Sequence, residues 1–488
     1  MFFERIVSPG LAHHSYFVSD GSEAVVIDPR RDVELYLELA AKQQAHIRYV
    51  LETHRQEDFV LGSRELADRT GARILHGEAL PYRYGEPIAD GEELAVGDIL
   101  IRAVATPGHT AESMTYALSD RKASLDPVIA CTGDALFIGD VGRTDLYGDA
   151  RRNELAAMLY DSLWKRILPL GDGVVIAPAH GGGSVCGASI LARTQSTVGF
   201  ERLHNPSLRV ERDAFIRDKA AQRMVVPPYF HRMEAWNLDG PPIVGRVPDA
   251  VSLSLGEFGE LAHDGAVIVD TRMPQAFAAG HIPGAYNIWL DGLQVYAGWV
   301  LPPDRPLLLV MDDHVPAREA IRMLFRVGFD QVRGYLKGGF ETWQNAGRPL
   351  GRTATVTAPE VRTMLQRGAV VLDARNADEW TSGVLPDSIL LNTAELEGRI
   401  DDIPRDRPVI STCSVGHRGG IGASILQRHG FEQVYQFMGG VKAWQAMEYP
   451  VEQGPDSEEL ERLAPSTSQA ATGHEVEQAM HYLERRSP

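Results

Sequence analysis

Residues 51–62 read LETHRQEDFVLG. Against the metal-binding pattern H-x-H-x-D-H, His54 and Asp58 stand in place, while Gln56 and Phe59 occupy two histidine positions. Three more polar residues end apolar runs in the same manner: His109 in TPGHT, Asp134 in TGD and His180 in PAHGGG. Imidazole nitrogens and carboxylate oxygens are donors for divalent cations. One histidine after a strand is usually a surface hydrogen-bonding residue. Four such positions in one segment point to a shared site. Cys186, six residues after His180 in GGGSVCG, allows two readings: a thiol that holds or relays sulfur beside that site, or a small buried hydrophobe. Cys131, inside VIACTGD, reads as core.

A second chemistry is written at residues 413–420, CSVGHRGG, between the apolar run PVIST and the helical stretch GIGASILQRHG. A cysteine at a strand-to-helix loop faces backbone N–H groups and a helix N-terminus, and both stabilise a thiolate. Gly416 permits the tight turn, His417 follows it, and Arg418 is placed to bind an anion.

The elements that must position these residues follow from the apolar pattern. EAVVIDP, IRYVLETH, ILIRAVATPGH, PVIACTGD and GVVIAPAH each stop at a His, Asp or Pro-Gly turn. They read as buried strands whose carboxyl ends feed loops, where distant residues converge in α/β architectures. The stretch from Gly199 to Pro242 reads as helices ending in a Pro-rich linker. The C-terminal half repeats itself: GFDQVRGYLKGGFETWQNAGRPL at 328–350 corresponds to GFEQVYQFMGGVKAWQAMEYPV at 430–451. Each copy opens on an apolar run ending in an acid, Asp270 in AVIVDTR and Asp373 in AVVLDAR. Strand–helix alternation of this kind is an α/β sheet pattern.

With 488 residues, several domains are expected. A formal net charge of -18 argues against nucleic-acid or anionic-membrane partners. No apolar run is long enough to cross a bilayer. Three cysteines make no disulfide framework, so a cytoplasmic location is expected. Past residue 453 the chain turns polar, with a short helix expected near 474–485.

ETHRQEDF, TPGHT, TGDALFIGDVGRTD and PAHGGG resemble the metallo-β-lactamase fold in order and spacing, and GDALFIGDVGRTDL and AHGGGSVCG look most like its persulfide dioxygenase branch. The resemblance implies one Fe(II) per chain, held by His54, His109 and Asp134. Two imidazoles and one carboxylate leave open positions on non-haem iron, and the loss of histidines at Gln56 and Phe59 disfavours a two-metal hydrolase. Asp58 and His180 match ligand positions of dinuclear relatives and are expected to orient ligands or a bound water. Arg143 in GRTD either contacts the anionic thiol carrier or pairs structurally with Asp145.

CSVGHRGG and its surroundings resemble a rhodanese domain. Four residues separate Cys413 from Arg418, which suits sulfur transfer rather than the five of related phosphatases. SGVLPDS at 382–388 departs from the family's GHIPGA-like run. The earlier copy keeps that run as AGHIPGAYNI, yet reads VMDDHVPAR where cysteine is required, so that Met311, Asp312 or Asp313 occupies its place. The expected fold is α/β: a metallo-β-lactamase αβ/βα sandwich over 1–238, a pseudo-rhodanese domain over 239–351 with a structural, docking or interface role, an active rhodanese domain over 352–453, and a polar tail over 454–488. The expected function is oxidation of a low-molecular-weight persulfide (of glutathione, coenzyme A or a similar thiol) by O2 to sulfite, then sulfur transfer through Cys413 to sulfite, giving thiosulfate. Self-association into a homo-oligomer is also expected. The competing readings are a zinc-dependent glyoxalase II-like thioester hydrolase fused to a sulfurtransferase, and a sulfur carrier with a degenerate dioxygenase site.

Overall fold

The computed structural model describes residues 1–222, 224–312 and 315–455. The tail beyond 455 and its expected helix lie outside these residues. The chain divides into two compact units, one ending at Arg246 and the other beginning at Val247.

The first unit holds two sheets. Phe2–Ser8, His13–Ser19 and Glu23–Ile27 pair antiparallel, then His46–Leu51, Arg73–Gly77 and Glu86–Ile88 extend that sheet in parallel. The second sheet runs Val175–Pro178, Ile129–Gly133, Met114–Asp120, Ile99–Ala105, Glu93–Val96. Between them lies a core that includes Tyr16, Ile27, Leu51, Ile101, Tyr116 and Cys131; Cys131 is core, as its strand pattern implies. Helices cover both outer faces. Tyr36 and Leu66 pack on the first sheet, and Leu159 and Phe215 on the second. Burying a sheet on both faces requires near-continuous apolar runs, and inner strands such as Glu23–Ile27 and His46–Leu51 have them over most of their length. This is the α/β sandwich expected from the sequence.

Four strands end at candidate site residues: His46–Leu51 before His54, Ile99–Ala105 before His109, Ile129–Gly133 before Asp134, and Val175–Pro178 before His180. Gly108 (φ +142°) lies so close to the helix Arg152–Ser162 that a Cβ would come within 2.5 Å of the Leu159 backbone and side chain. Glycine in TPGH is therefore required by close approach.

The second unit contains two five-stranded parallel sheets with the same topology. In one the order is Ser252–Leu253, Val332–Leu336, Leu307–Val310, Val267–Asp270, Tyr286–Asn287. In the other it is Ala354–Val356, Val434–Phe437, Val409–Thr412, Val370–Asp373, Ser388–Leu390. The repeated segments of the sequence form equivalent pieces, a strand followed by the helix Gly339–Asn345 or Gly440–Ala446. No helix among the described residues is long and apolar enough to cross a membrane.

Candidate functional site

His54, His109 and Asp134 come together at the strand ends, fully buried. The Nε2 atoms of His54 and His109 lie 3.7 and 3.5 Å from Asp134 Oδ2. A fourth group joins them. Glu57 places Oε1 3.0 Å from His109 Nε2 and Oε2 3.8 Å from His54 Nε2. All four ligand atoms lie within 4.8 Å of one another.

The tautomers follow from the hydrogen bonds. The Thr53 hydroxyl donates to Asp28 Oδ2 at 2.6 Å, so at 2.9 Å it accepts from His54 Nδ1. His109 Nδ1 donates to the Arg143 carbonyl at 3.0 Å. Both rings thus turn Nε2 toward Asp134 and Glu57. His54 Nε2 and Glu57 Oε2 are buried and have no hydrogen-bond partner among the described residues, and His109 Nε2 faces the Glu57 carboxylate. Buried polar atoms are rarely left so. Convergent, unpartnered nitrogens and oxygens fit a bound divalent cation, as the buried His/Glu/Asp cluster itself indicates. Burial lowers His54 to about 3. Burial also works against charge on His109, but the Glu57 carboxylate outweighs it and holds that imidazole up to about 9. Asp134 is buried too, yet His180 and His54 keep it well below the usual carboxylate range.

Gln56 does not replace the missing ligand. Its Nε2 lies 3.4 Å from His54 Nδ1, on the ring edge away from the cluster. The Phe59 ring packs on His13 at 4.0 Å. Asp58 and His180 meet at 3.1 Å, and His180 Nδ1 is 2.8 Å from Asp134 Oδ1. Cys186 is completely buried, its Sγ 3.8 Å from Glu57 Oε1. The five N–H donors of Arg143 are all engaged: two with Asp145, the others with the carbonyls of Val185, Met224 and Val225. Arg143 and Asp145 form a buried ion pair, with Arg143 Nε 2.6 Å from Asp145 Oδ1.

The sequence pattern missed three supports of this site. Glu57 stands at a variable position of the metal motif, and only the turn geometry aims it inward. Asp28, at positive φ (48°), anchors Thr53 through both its N–H and its hydroxyl. Asn237, on the helix Phe230–Asp239, donates to the carbonyls of Gln56 and Phe59 and accepts from Leu61 N–H.

The second candidate site is built on the strand Val409–Thr412 and the helix His417–Arg428. Cys413 is 1% exposed, and the Gly416 N–H donates to its Sγ at 3.1 Å. Gly416 (φ +104°) makes the turn into the helix. Gly440 is equally constrained: a Cβ there would stand 2.0 Å from the Cys413 carbonyl oxygen. Arg418 is not free in the cradle. Glu379, 39 residues earlier, binds its guanidinium through both oxygens, and Ser414 Oγ adds a contact at 3.1 Å. Burial opposes the charge on Glu379, but Arg418 holds the carboxyl down at about 2. The earlier copy packs alongside. The Trp289 and His417 rings lie 4.9 Å apart, and Asn287 N–H donates to Ser424 Oγ.

The family model for the metallo-beta-lactamase superfamily matches residues 8–180, and that for the rhodanese-like domain matches 254–346 and 357–447. The chain is 29% identical over 221 residues to the mitochondrial persulfide dioxygenase ETHE1 of Homo sapiens, an alignment covering 44% of this chain and 78% of that protein. It is 30% identical over 173 residues to the hydroxyacylglutathione hydrolase of Anaeromyxobacter dehalogenans, covering 35% of this chain and 62% of that one. A solved metallo-beta-lactamase structure from Staphylococcus aureus superposes with a TM-score of 0.62 at 28% identity, covering 69% of this chain and 99% of the other.

Proposed function

We propose, since the chain joins a metallo-β-lactamase-superfamily domain with persulfide dioxygenase homologues to two rhodanese-like domains, that it oxidises a low-molecular-weight persulfide to sulfite with O2 and transfers sulfane sulfur through Cys413 to sulfite. The observation that carries the first half is the buried quartet of His54, Glu57, His109 and Asp134, with His54 Nε2 and Glu57 Oε2 unpartnered and turned inward. Iron(II) at these residues would supply electrons to O2 and a coordination position for the persulfide's terminal sulfur.

The chain's own contributions can be derived. The Thr53 and Arg143 hydrogen bonds fix both imidazoles with Nε2 inward. Asp134 and Glu57 bring negative charge that a cation neutralises. Phe59 and the sandwich core keep bulk water from the ligands. In the rhodanese domain, the Gly416 N–H and the amino end of the helix His417–Arg428 stabilise negative charge on Cys413 sulfur. A sulfane sulfur passes from a donor persulfide to the Cys413 thiolate, releasing the donor thiolate. Sulfite then attacks the outer sulfur of the Cys413 persulfide. The S–S bond breaks, thiosulfate leaves, and the Cys413 thiolate returns. Joining both sites in one chain raises the local sulfite concentration. Glutathione and coenzyme A persulfides are both compatible carriers.

The test is anaerobic purification and metal analysis, followed by O2 uptake on adding glutathione persulfide. About one iron per chain with persulfide-dependent uptake is expected. His109→Ala should lose iron and uptake while keeping sulfur transfer. Zinc without uptake, together with thioester turnover, would instead support a hydrolase.

A further inference from the structure

Where one rhodanese-like copy holds Cys413, the other opens a cavity of about 630 Å3 past the end of the strand Leu307–Val310. Met311 lines it where Cys413 stands in the second copy, and Gly339 where Gly440 stands. Ala276 lines it four residues after Arg272, as Glu379 stands four residues after Arg375. Two differences account for the space. Alanine at 276 removes the carboxylate that reaches Arg418 in the second copy. The second copy also ties its loop down, because the Val441 and Lys442 N–H groups donate to the Cys413 and Ser414 carbonyls at 2.9 and 3.2 Å. No such bond joins Phe340 or Glu341 to Met311 or Asp312 among the described residues.

The lining carries charge of both signs. Arg272 is 6% exposed, with Nε and Nη2 held by Asp270 and the Gly280 carbonyl. Its Nη1 has no hydrogen-bond partner among the described residues, whereas Nη1 of Arg375 donates to the Glu379 carbonyl at 3.0 Å. A buried polar group is seldom left so. The guanidinium is also held in place, stacked 4.0 Å above the Phe340 ring. Arg352 adds an exposed guanidinium, and Asp312 and Glu341 add exposed carboxylates, none of them in an ion pair among the described residues. Met311, Phe340 and Leu350 supply apolar wall.

Charge and size select the ligand. With Asp270 counted, two guanidiniums face three carboxylates, which disfavours a dianion such as thiosulfate. A molecule with a carboxylate at one end and an ammonium at the other is matched. Cavities of about 300–1,000 Å3 take molecules larger than one amino acid. We infer that the copy without cysteine binds a small zwitterionic peptide of two or three residues, its carboxylate on Arg272 Nη1 and Arg352, its ammonium against Asp312 and Glu341, and an apolar side chain against Met311 and Phe340. The inference rests on neither the dioxygenase reading nor Cys413, and its test involves no O2, metal or sulfur transfer.

The experiment is calorimetric titration of the full chain with alanyl-leucyl-alanine. Saturable binding of about one peptide per chain is expected. Acetylating the peptide's amino end or amidating its carboxyl end should each weaken binding by at least about tenfold, through loss of a charge-assisted contact. Ala276→Phe, which fills the cavity, should abolish binding, and Arg352→Ala should weaken it by about three- to tenfold. Thiosulfate should not displace the peptide. Circular dichroism checks that each variant folds. If Ala276→Phe does not fold, Arg352→Ala and the two end-blocked peptides decide. No binding at millimolar peptide overturns the inference. So does binding that is indifferent to both end groups, binding that survives Ala276→Phe, or displacement by thiosulfate.

Discussion

The two rhodanese-like copies share a sheet topology and differ in the loop after the central strand and in one connection. Each carries a buried ion pair just past its acid-ending strand. Asp270 holds Arg272 at 2.6 Å and Asp373 holds Arg375 at 2.7 Å. Each arginine also donates, at 2.9 Å, to a carbonyl eight residues on, Gly280 or Gly383. This agreement survives the sequence departure at SGVLPDS. Beyond the central strand of each sheet, Leu307–Val310 or Val409–Thr412, the copies part. One continues into Met311 and Asp312, the other into Cys413 and a cradle closed by Gly416. A scaffold can therefore be kept intact while the cysteine of its loop is absent. The copy without cysteine instead has the helix Leu290–Val300, where its counterpart has only the short turn Ile400–Asp402, and sets Trp289 against His417.

The largest expected effect comes from making the copies chemically alike. Cys413→Ser should lower thiosulfate formation by about 10³-fold or more, with O2 uptake unchanged and sulfite accumulating. Loss of O2 uptake would show that the sites are not separable. The converse, Asp312→Cys added to Cys413→Ser, should restore no sulfur transfer. Recovery would mean that the cradle, and not only the cysteine, persists in the first copy.

The shared scaffold gives the next effect. Asp270→Ala and Asp373→Ala each strand a buried guanidinium and should destabilise their own domain by about 3–5 kcal/mol, read as paired shifts in a denaturant titration. Only the second should also reduce sulfur transfer. Unequal destabilisation would break the equivalence of the copies.

Smaller effects are expected at Glu379. Its carboxyl sits at about 2, below the ordinary carboxylate value, because Arg418 favours the charged form. The pair's stabilisation should be complete above about pH 4.5 and fade as pH falls toward 2. Glu379→Gln should flatten that acid limb in a melting-temperature series. It should also change the Michaelis constant for sulfite by a few-fold, about 1 kcal/mol or less, by releasing Arg418.

Much of this arrangement is legible in the sequence, for definite reasons. Cys413, Gly416 and Arg418 lie within six residues, so one loop geometry brings them together. His54, His109, Asp134 and His180 each end an apolar run, and the sandwich collects strand ends. Glu57 escapes the pattern, because a motif fixes spacing but not which way a side chain turns. Glu379 and Asn237 escape it because they reach their partners from 39 and about 180 residues away. Arg418, read as an anion receptor, proves to have a carboxylate already in its fork, which no local spacing announces.

The Asn237 clamp has a consequence for the order of biosynthesis. The loop with His54, Glu57 and Asp58 leaves the ribosome long before residue 237 exists. At roughly 5–20 residues per second, 180 residues take on the order of 10–40 seconds. During that interval the nascent chain owns metal donors but lacks the hydrogen bonds that shape their loop. Metal capture is therefore expected to follow the emergence and docking of the helix Phe230–Asp239. A chain ended at residue 229 would keep all of these donors and is expected to bind Co2+ more weakly than the full chain.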